Sequence, residues 1–200
     1  MNIAEKIHAT FLGRRRVGVL GAHLEKHLPI RGSLLDVGCG DGALARELAR
    51  RRPELEIHGL DTLLRPDALI PVEVFDGERI PRADRSVDCV VLVDVLHHCT
   101  HPEALLAEAA RVMREKIVIK DHLLEGWLAD PTLRLMDRVG NARHGVDLPF
   151  SYWPEARWRA AWRELDLGVD AFEVDLHLYP PPLGFAFDRR LHFVASLRRG

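Results

Sequence analysis

The chain has 200 residues, with 28 Lys and Arg against 30 Asp and Glu, a formal charge of -2 before any histidine is protonated. That near balance excludes a nucleic-acid binder working by bulk positive charge, and 47% hydrophobic with 29% charged residues excludes a disordered or collagen-like chain. At about 150 residues per domain, the length predicts one domain with extensions, able to bury a full core without disulfide or metal staples.

The three cysteines, Cys39, Cys89 and Cys99, are odd in number and widely spaced. They read as reduced thiols, so a cytoplasmic location is expected. The opening residues mix acids and bases with apolar side chains and lack the continuous apolar run of a signal peptide or membrane span.

Ile3, Ile7 and Phe11 recur at helical spacing and predict a short amphipathic helix that could cap a site. Arg14, Arg15 and Arg16 read as a solvated face, with contact to an acidic ligand or partner as the alternative. Leu20, Leu24 and Leu28 predict a second helix ended by Pro29. Ser33 to Val37 is a first strand, and Gly38, Gly40 and Gly42 turn the chain sharply into a helix whose apolar face carries Leu44 and Leu48. Strands follow at Leu55 to Asp61, Val72 to Phe75, Ser86 to Val93 and Lys116 to Ile119, with a helix opened by Pro102 before the last of these. The near-continuous apolar run Val90 to Val93 fits a parallel sheet covered on both faces.

After residue 120 the pattern changes. Asp130 and Pro131 can initiate a helix through Val139, with Gly140 and Asn141 suited to its end. Trp158, Ala161, Trp162 and Leu165 mark another helix beginning near Pro154, and the two tryptophans read as core. Alternation at Phe172, Val174, Leu176 and Leu178, then at Leu191 to Leu197, predicts two antiparallel tail strands at the sheet edge. The fold expected is a doubly wound α/β sandwich.

Ligands of such sheets gather at the carboxyl ends of the strands. There LLDVGCGDG, Leu34 to Gly42, supplies glycines that let backbone approach a ligand, followed by the exposed N-H groups of a helix start. Asp61 ends the second strand, where a carboxylate can accept both hydroxyls of a ribose; Asp76 ends the third and could orient an adenine amino group. The plain alternative for either acid is a helix cap or a solvated loop.

These residues resemble those of class I S-adenosylmethionine-dependent methyltransferases, especially the small-molecule branch that includes ubiquinone and menaquinone biosynthesis enzymes. The resemblance covers roughly residues 30 to 120. It implies a seven-stranded Rossmann-like sandwich, mostly parallel with an antiparallel C-terminal strand pair, and S-adenosyl-L-methionine as cofactor. It further implies that Asp36, Gly38, Cys39 and Gly40 lie at the methionyl end, Asp61 and Thr62 at the ribose, Asp76 and Gly77 at the adenine, and Asp94 and His97 near cofactor and acceptor. The proline and glycine turn usual before the fifth strand is absent; Arg114 and Glu115 stand there instead.

Methyl transfer from a sulfonium asks the protein to align a nucleophile and exclude water, and needs a base only if the acceptor must lose a proton. His98, His122 and His144 are the candidate acids or bases, and His98, His122, Asn141 and His144 the candidate acceptor contacts. His97, His98, Cys99 and His101 crowd together, but adjacent residues of one helix end do not converge on a tetrahedral ion, so no metal is expected from them.

The expected organisation is a helical cap over residues 1–29, a cofactor core over 30–120, an acceptor-specificity insertion over 121–153, and a C-terminal helix and strand pair over 154–200. The function expected is methyl transfer to an O, N or C nucleophile of a small, partly apolar metabolite, by a monomer or homodimer without nucleic acid. A protein that binds the cofactor without turnover is the alternative, and a nicotinamide-dependent oxidoreductase a more distant one.

Overall fold

Apolar residues alternate between the two faces of each central strand, and each face has its own helical cover. A computed structural model describes the backbone of residues 3–141 and 149–200. Seven strands, β1 (Gly32–Val37), β2 (Leu55–Asp61), β3 (Val72–Val74), β4 (Val87–Val93), β5 (Met113–His122), β6 (Leu167–Glu173) and β7 (His192–Arg199), form one sheet in the order β3-β2-β1-β4-β5-β7-β6. β7 alone runs against its neighbours, pairing antiparallel with β5 and with β6.

The helices are α1 (Ile3–Glu25), α2 (Ala43–Arg51), α3 (Pro102–Val112), α4 (Ala129–Asn141), α5 (Glu155–Glu164) and the short α6 (Gly184–Phe187). On one face of the sheet, Leu34, Val91, Val118 and Val194 pack with Leu20 and Leu24 of α1 and Leu48 of α2. On the other, Leu35, Val90, Ile119 and Phe193 pack with Leu105 and Leu106 of α3 and Trp158 and Trp162 of α5. Successive strand residues thus serve opposite layers, which is why the central strands are apolar throughout. Both tryptophans are core, as expected, and truncating either to Ala would cost about 3–5 kcal/mol.

Two expectations are corrected. The predicted pair of N-terminal helices is one continuous helix, because residues 12–19 contain no proline and the arginine run consists of good helix formers. It ends at Glu25, ahead of Pro29, with the His27 and Leu28 N-H groups turning back onto the Leu24 carbonyl. The alternation from Phe172 to Leu178 is not one strand: β6 stops at Glu173, and His177 has a positive φ of 50°. Leu176 and Leu178 are nonetheless buried, filling the layer beneath α1 rather than extending the sheet. Among the described residues no helix is long and apolar enough to cross a membrane.

Because β1 lies between β2 and β4, the chain crosses to opposite sides of β1, and a crevice opens at the carboxyl ends of β1 and β4.

Candidate active site

A cavity of about 430 Å³ occupies that crevice. Gly38, Gly40, Asp61, Thr62, Phe75 and Gly77 line one end, while Arg16, Asp94, His97, His98, His122, Met136, Asp137 and Tyr179 line the other.

The first end is made largely of backbone. The Gly38 and Cys39 N-H groups both donate to the Leu60 carbonyl, at 2.7 and 3.0 Å, tying the glycine turn to β2. Gly38 has a φ of +75°, and a Cβ there would lie 2.4 Å from a methyl of Val95, so only glycine fits. Gly40 also has positive φ, but a Cβ there would meet nothing nearer than 3.6 Å, the Arg65 guanidinium, which leaves a cradle over its backbone. The Asp61 carboxylate accepts the Gly40 N-H at 2.7 Å on one oxygen and the Leu63 N-H at 3.0 Å on the other. Each oxygen retains a second lone pair for a ligand hydroxyl, so the donors and acceptors present fit the nucleoside of S-adenosylmethionine.

Three residues expected at this end do not line the cavity. Asp36 is buried beneath the turn, where desolvation and the neighbouring Asp61 charge push its carboxyl up to about 7. Cys39 packs its sulfur against Gly59, and burial raises its thiol to about 12, consistent with packing rather than chemistry. Asp76 turns its carboxylate back to accept the Glu78 and Arg79 N-H groups, the capping alternative noted above, and these bonds lower its pKa. Its neighbours Phe75 and Gly77 reach the cavity instead.

The second end is made of charged side chains. Asp94, at a positive φ of 56°, pairs with Arg16 of α1 at 2.5 Å and with the Lys120 ammonium of β5. Burial pushes the Asp94 carboxyl up, but Lys120 and Arg16 outweigh it and hold the acid well below its usual range. The Arg14 to Arg16 run therefore contributes an inward-facing charge, contrary to a wholly solvated face; its acidic partner lies within the chain.

His97 is almost fully buried. The Asp121 carboxylate accepts from the His97 Nδ1-H at 2.6 Å and from the Leu96 and His122 N-H groups at 3.1 and 2.7 Å. Tyr152 stacks on His97 with ring centroids 5.7 Å apart and donates its hydroxyl to Asp137 at 2.5 Å. The loop carrying Tyr152 is fastened to the same turn, the Ser151 N-H donating to the His97 carbonyl at 3.1 Å. Burial lowers the His97 pKa, but the Asp121 and Asp137 charges overcome it and raise it to about 10.

His98 differs from its neighbour His97 in the direction of its pKa shift. It faces the cavity, its Nδ1 has no hydrogen-bond partner among the described residues, and burial followed by the His97 charge lowers it to about 4. It is therefore a neutral imidazole at physiological pH. His122 also lines the cavity, while its Nδ1 lies 3.1 Å from Nδ1 of His192. His144 lies outside the described residues, as does the side chain of Asn141, whose backbone ends α4. Sequence reasoning missed Arg16, Lys120 and His192; only the strand register, which places His122 opposite His192, could have signalled the last.

The strand order, the reversed final strand, the glycine turn after β1 and the acid ending β2 together define the class I S-adenosylmethionine-dependent methyltransferase fold. Residues 35–118 match the family model described as "Methyltransferase domain". Over 93 residues the chain is 34% identical to the ubiquinone/menaquinone biosynthesis C-methyltransferase UbiE of Cupriavidus metallidurans, a match covering 40% of this chain and 38% of the relative. The chain thus spans about two fifths of the length of the curated relatives it matches. Among solved structures, magnesium protoporphyrin IX methyltransferase from Synechocystis PCC 6803, with bound SAH, aligns with a TM-score of 0.63 at 16% identity, covering 100% of this chain and 89% of that one. The [4+2]-cyclase SpnF aligns with a TM-score of 0.68 at 14% identity, covering 91% and 80%. At these identities the structural likenesses establish the fold alone.

Proposed function

We propose that the protein transfers a methyl group from S-adenosyl-L-methionine directly to an O, N or C nucleophile of a small, partly apolar metabolite. The single observation that carries this reading is that one cavity joins the glycine turn and Asp61 to the histidines and Met136. A cofactor sulfonium and an acceptor can therefore meet inside one enclosure.

When bound, the cofactor supplies an electrophilic methyl carbon. Backbone of the Gly38 to Gly40 turn would accommodate its methionyl part, Asp61 would hold the ribose hydroxyls, and Thr62 and Gly77 would flank the nucleoside. Asp94 and His97 would shape the junction between the two ligands. His98, which lines the cavity and is unpartnered at Nδ1 among the described residues, is the favoured base for an acceptor that carries a proton. His122 and the undescribed Asn141 and His144 remain assigned to the acceptor side, with residues 121–153 as the specificity segment, because Met136 and Asp137 of that segment reach the cavity. The near-balanced charge favours a metabolite over a nucleic acid, and three free thiols favour a reducing compartment such as the cytoplasm.

The test is transfer of label from methyl-labelled S-adenosylmethionine to pooled small metabolites, with the product identified by mass. Labelled product that disappears with His98→Gln supports the proposal. Tight cofactor binding without label transfer across well-chosen quinol, phenol, amine and enol acceptors would overturn it in favour of a binding protein.

A further inference from the structure

One face of α4 is covered by the rest of the fold and a neighbouring face is not. Ala129, Leu133 and Asp137 are buried, whereas Leu135 and Val139 are 53% and 71% exposed. Thr132, Leu135 and Val139 recur at i, i+3 and i+7 and so form one stripe along the helix. Trp127 and Leu128 stand at its N-terminal end, 84% and 43% exposed. Leu128 holds a positive φ of 61°, which bulky side chains rarely adopt, and its exposure means that packing does little to offset the strain. Met136, at i+4 from Thr132 and i-3 from Val139, lines the cavity, so the stripe borders the side of α4 that reaches the site.

We infer that Trp127, Leu128 and the Leu135 and Val139 stripe of α4 form a docking surface for an anionic lipid bilayer. The charges beside the stripe complement such a surface. Arg134 and Arg138 lie along α4 next to it, and Arg189, which follows α6, donates to the Thr132 hydroxyl within it at 3.0 Å. The nearby acids are engaged: Asp130 accepts from Arg134 at 2.8 Å, and Glu125 accepts the Glu155 N-H of α5 at 3.0 Å. Three arginines therefore flank the apolar stripe against two acids. A second copy docked on this face about a two-fold axis would set Arg134 and Arg138 against their own counterparts, which like-charge repulsion opposes. The apolar side chains also protrude rather than line a groove. They need no matching pockets in a fluid hydrocarbon phase, and a tryptophan beside arginines suits the headgroup level. This surface lies on the helix and does not require a membrane-spanning segment. The inference stands whether or not methyl is transferred; with methyl transfer, it would set the cavity beside the phase in which a partly apolar acceptor dissolves.

The test is sedimentation of the protein with vesicles of phosphatidylcholine containing phosphatidylglycerol, and with vesicles of phosphatidylcholine alone, together with tryptophan emission. Trp153, Trp158 and Trp162 are buried, so a change of emission on binding reports Trp127. Saturable binding to the anionic vesicles, weakened by salt and accompanied by a blue shift and protection from acrylamide quenching, is expected. Affinity should fall about fivefold in Arg138→Gln. It should fall at least about tenfold in Trp127→Ser and in the Leu135→Ser, Val139→Ser double variant. These side chains are exposed, and thermal melting followed by circular dichroism checks that each variant folds. No binding to anionic vesicles, binding unchanged in both apolar variants, or binding that leaves the emission unshifted would overturn the inference. So would a wild-type dimer in sedimentation velocity that dissociates in the double variant, which would give the face to a second copy.

Discussion

The two ends of the cavity are built on different principles. The end proposed for the cofactor consists of backbone from a short stretch of sequence, tightened by one carboxylate, and Gly38 within it is fixed by steric necessity. The end proposed for the acceptor consists of side chains from α1, the turn after β4, β5, α4 and β7, held in a largely buried network. A backbone site presents the same groups whatever the surrounding side chains, which suits a cofactor common to many enzymes; a side-chain site can be changed residue by residue, which suits an acceptor particular to one. Substitutions at the two ends should therefore fail differently.

The largest separation is expected at His98. For an acceptor with an ionisable O-H or N-H, His98→Gln should lower kcat by about 10²–10⁴-fold while affinity for S-adenosylhomocysteine stays unchanged. Equal loss of both would mean that the ends are not independent. Next comes Gly38→Ala, which forces a Cβ into Val95 at a φ of +75°. A loss of about 2–3 kcal/mol of stability is expected in denaturant titration, with partial recovery in the Gly38→Ala, Val95→Ala double variant, because truncating Val95 removes the clash but not the dihedral strain. Full additivity would show that the turn and the β4 end do not touch as described.

A smaller, pH-dependent effect is expected at Asp36. Its folded-state pKa, about 7, is above the ordinary carboxylate value, so folding takes up a proton between the two and Asp36 destabilises most above pH 7. Asp36→Asn should therefore stabilise the protein relative to wild type above pH 7, and this advantage should shrink as pH falls toward 4, with a slope of at most about 1.4 kcal/mol per pH unit. An advantage independent of pH would mean that Asp36 ionises normally in the folded protein.

The contrast between the ends also explains what could be read from the sequence. The glycine turn, Asp61 and the strands that present them lie within about thirty residues, and apolar runs bounded by turn residues identify the elements directly. Asp94 and the His97–His98 pair were visible for the same reason. Arg16 was not, because it meets Asp94 across 78 residues and looked like any exposed basic run. Lys120 and His192 were missed because their roles depend on the register of β5 against β4 and β7, which local periodicity does not encode. Asp76 was assigned from its strand-end position, and short-range bonds from the Glu78 and Arg79 N-H groups occupy one oxygen of its carboxylate, a competition that position alone does not reveal.

In the proposed function the end of β2 receives the ribose of S-adenosylmethionine. Calorimetric titration of S-adenosylhomocysteine into the wild-type protein and Asp61→Asn, with NAD as the comparison ligand, tests it most directly. Saturable one-site binding by wild type, weakened about 10–100-fold in the variant as expected for loss of a charged hydrogen bond, with no NAD binding, is the predicted result. Equal affinity in the two proteins, or binding of NAD in place of S-adenosylhomocysteine, would contradict it.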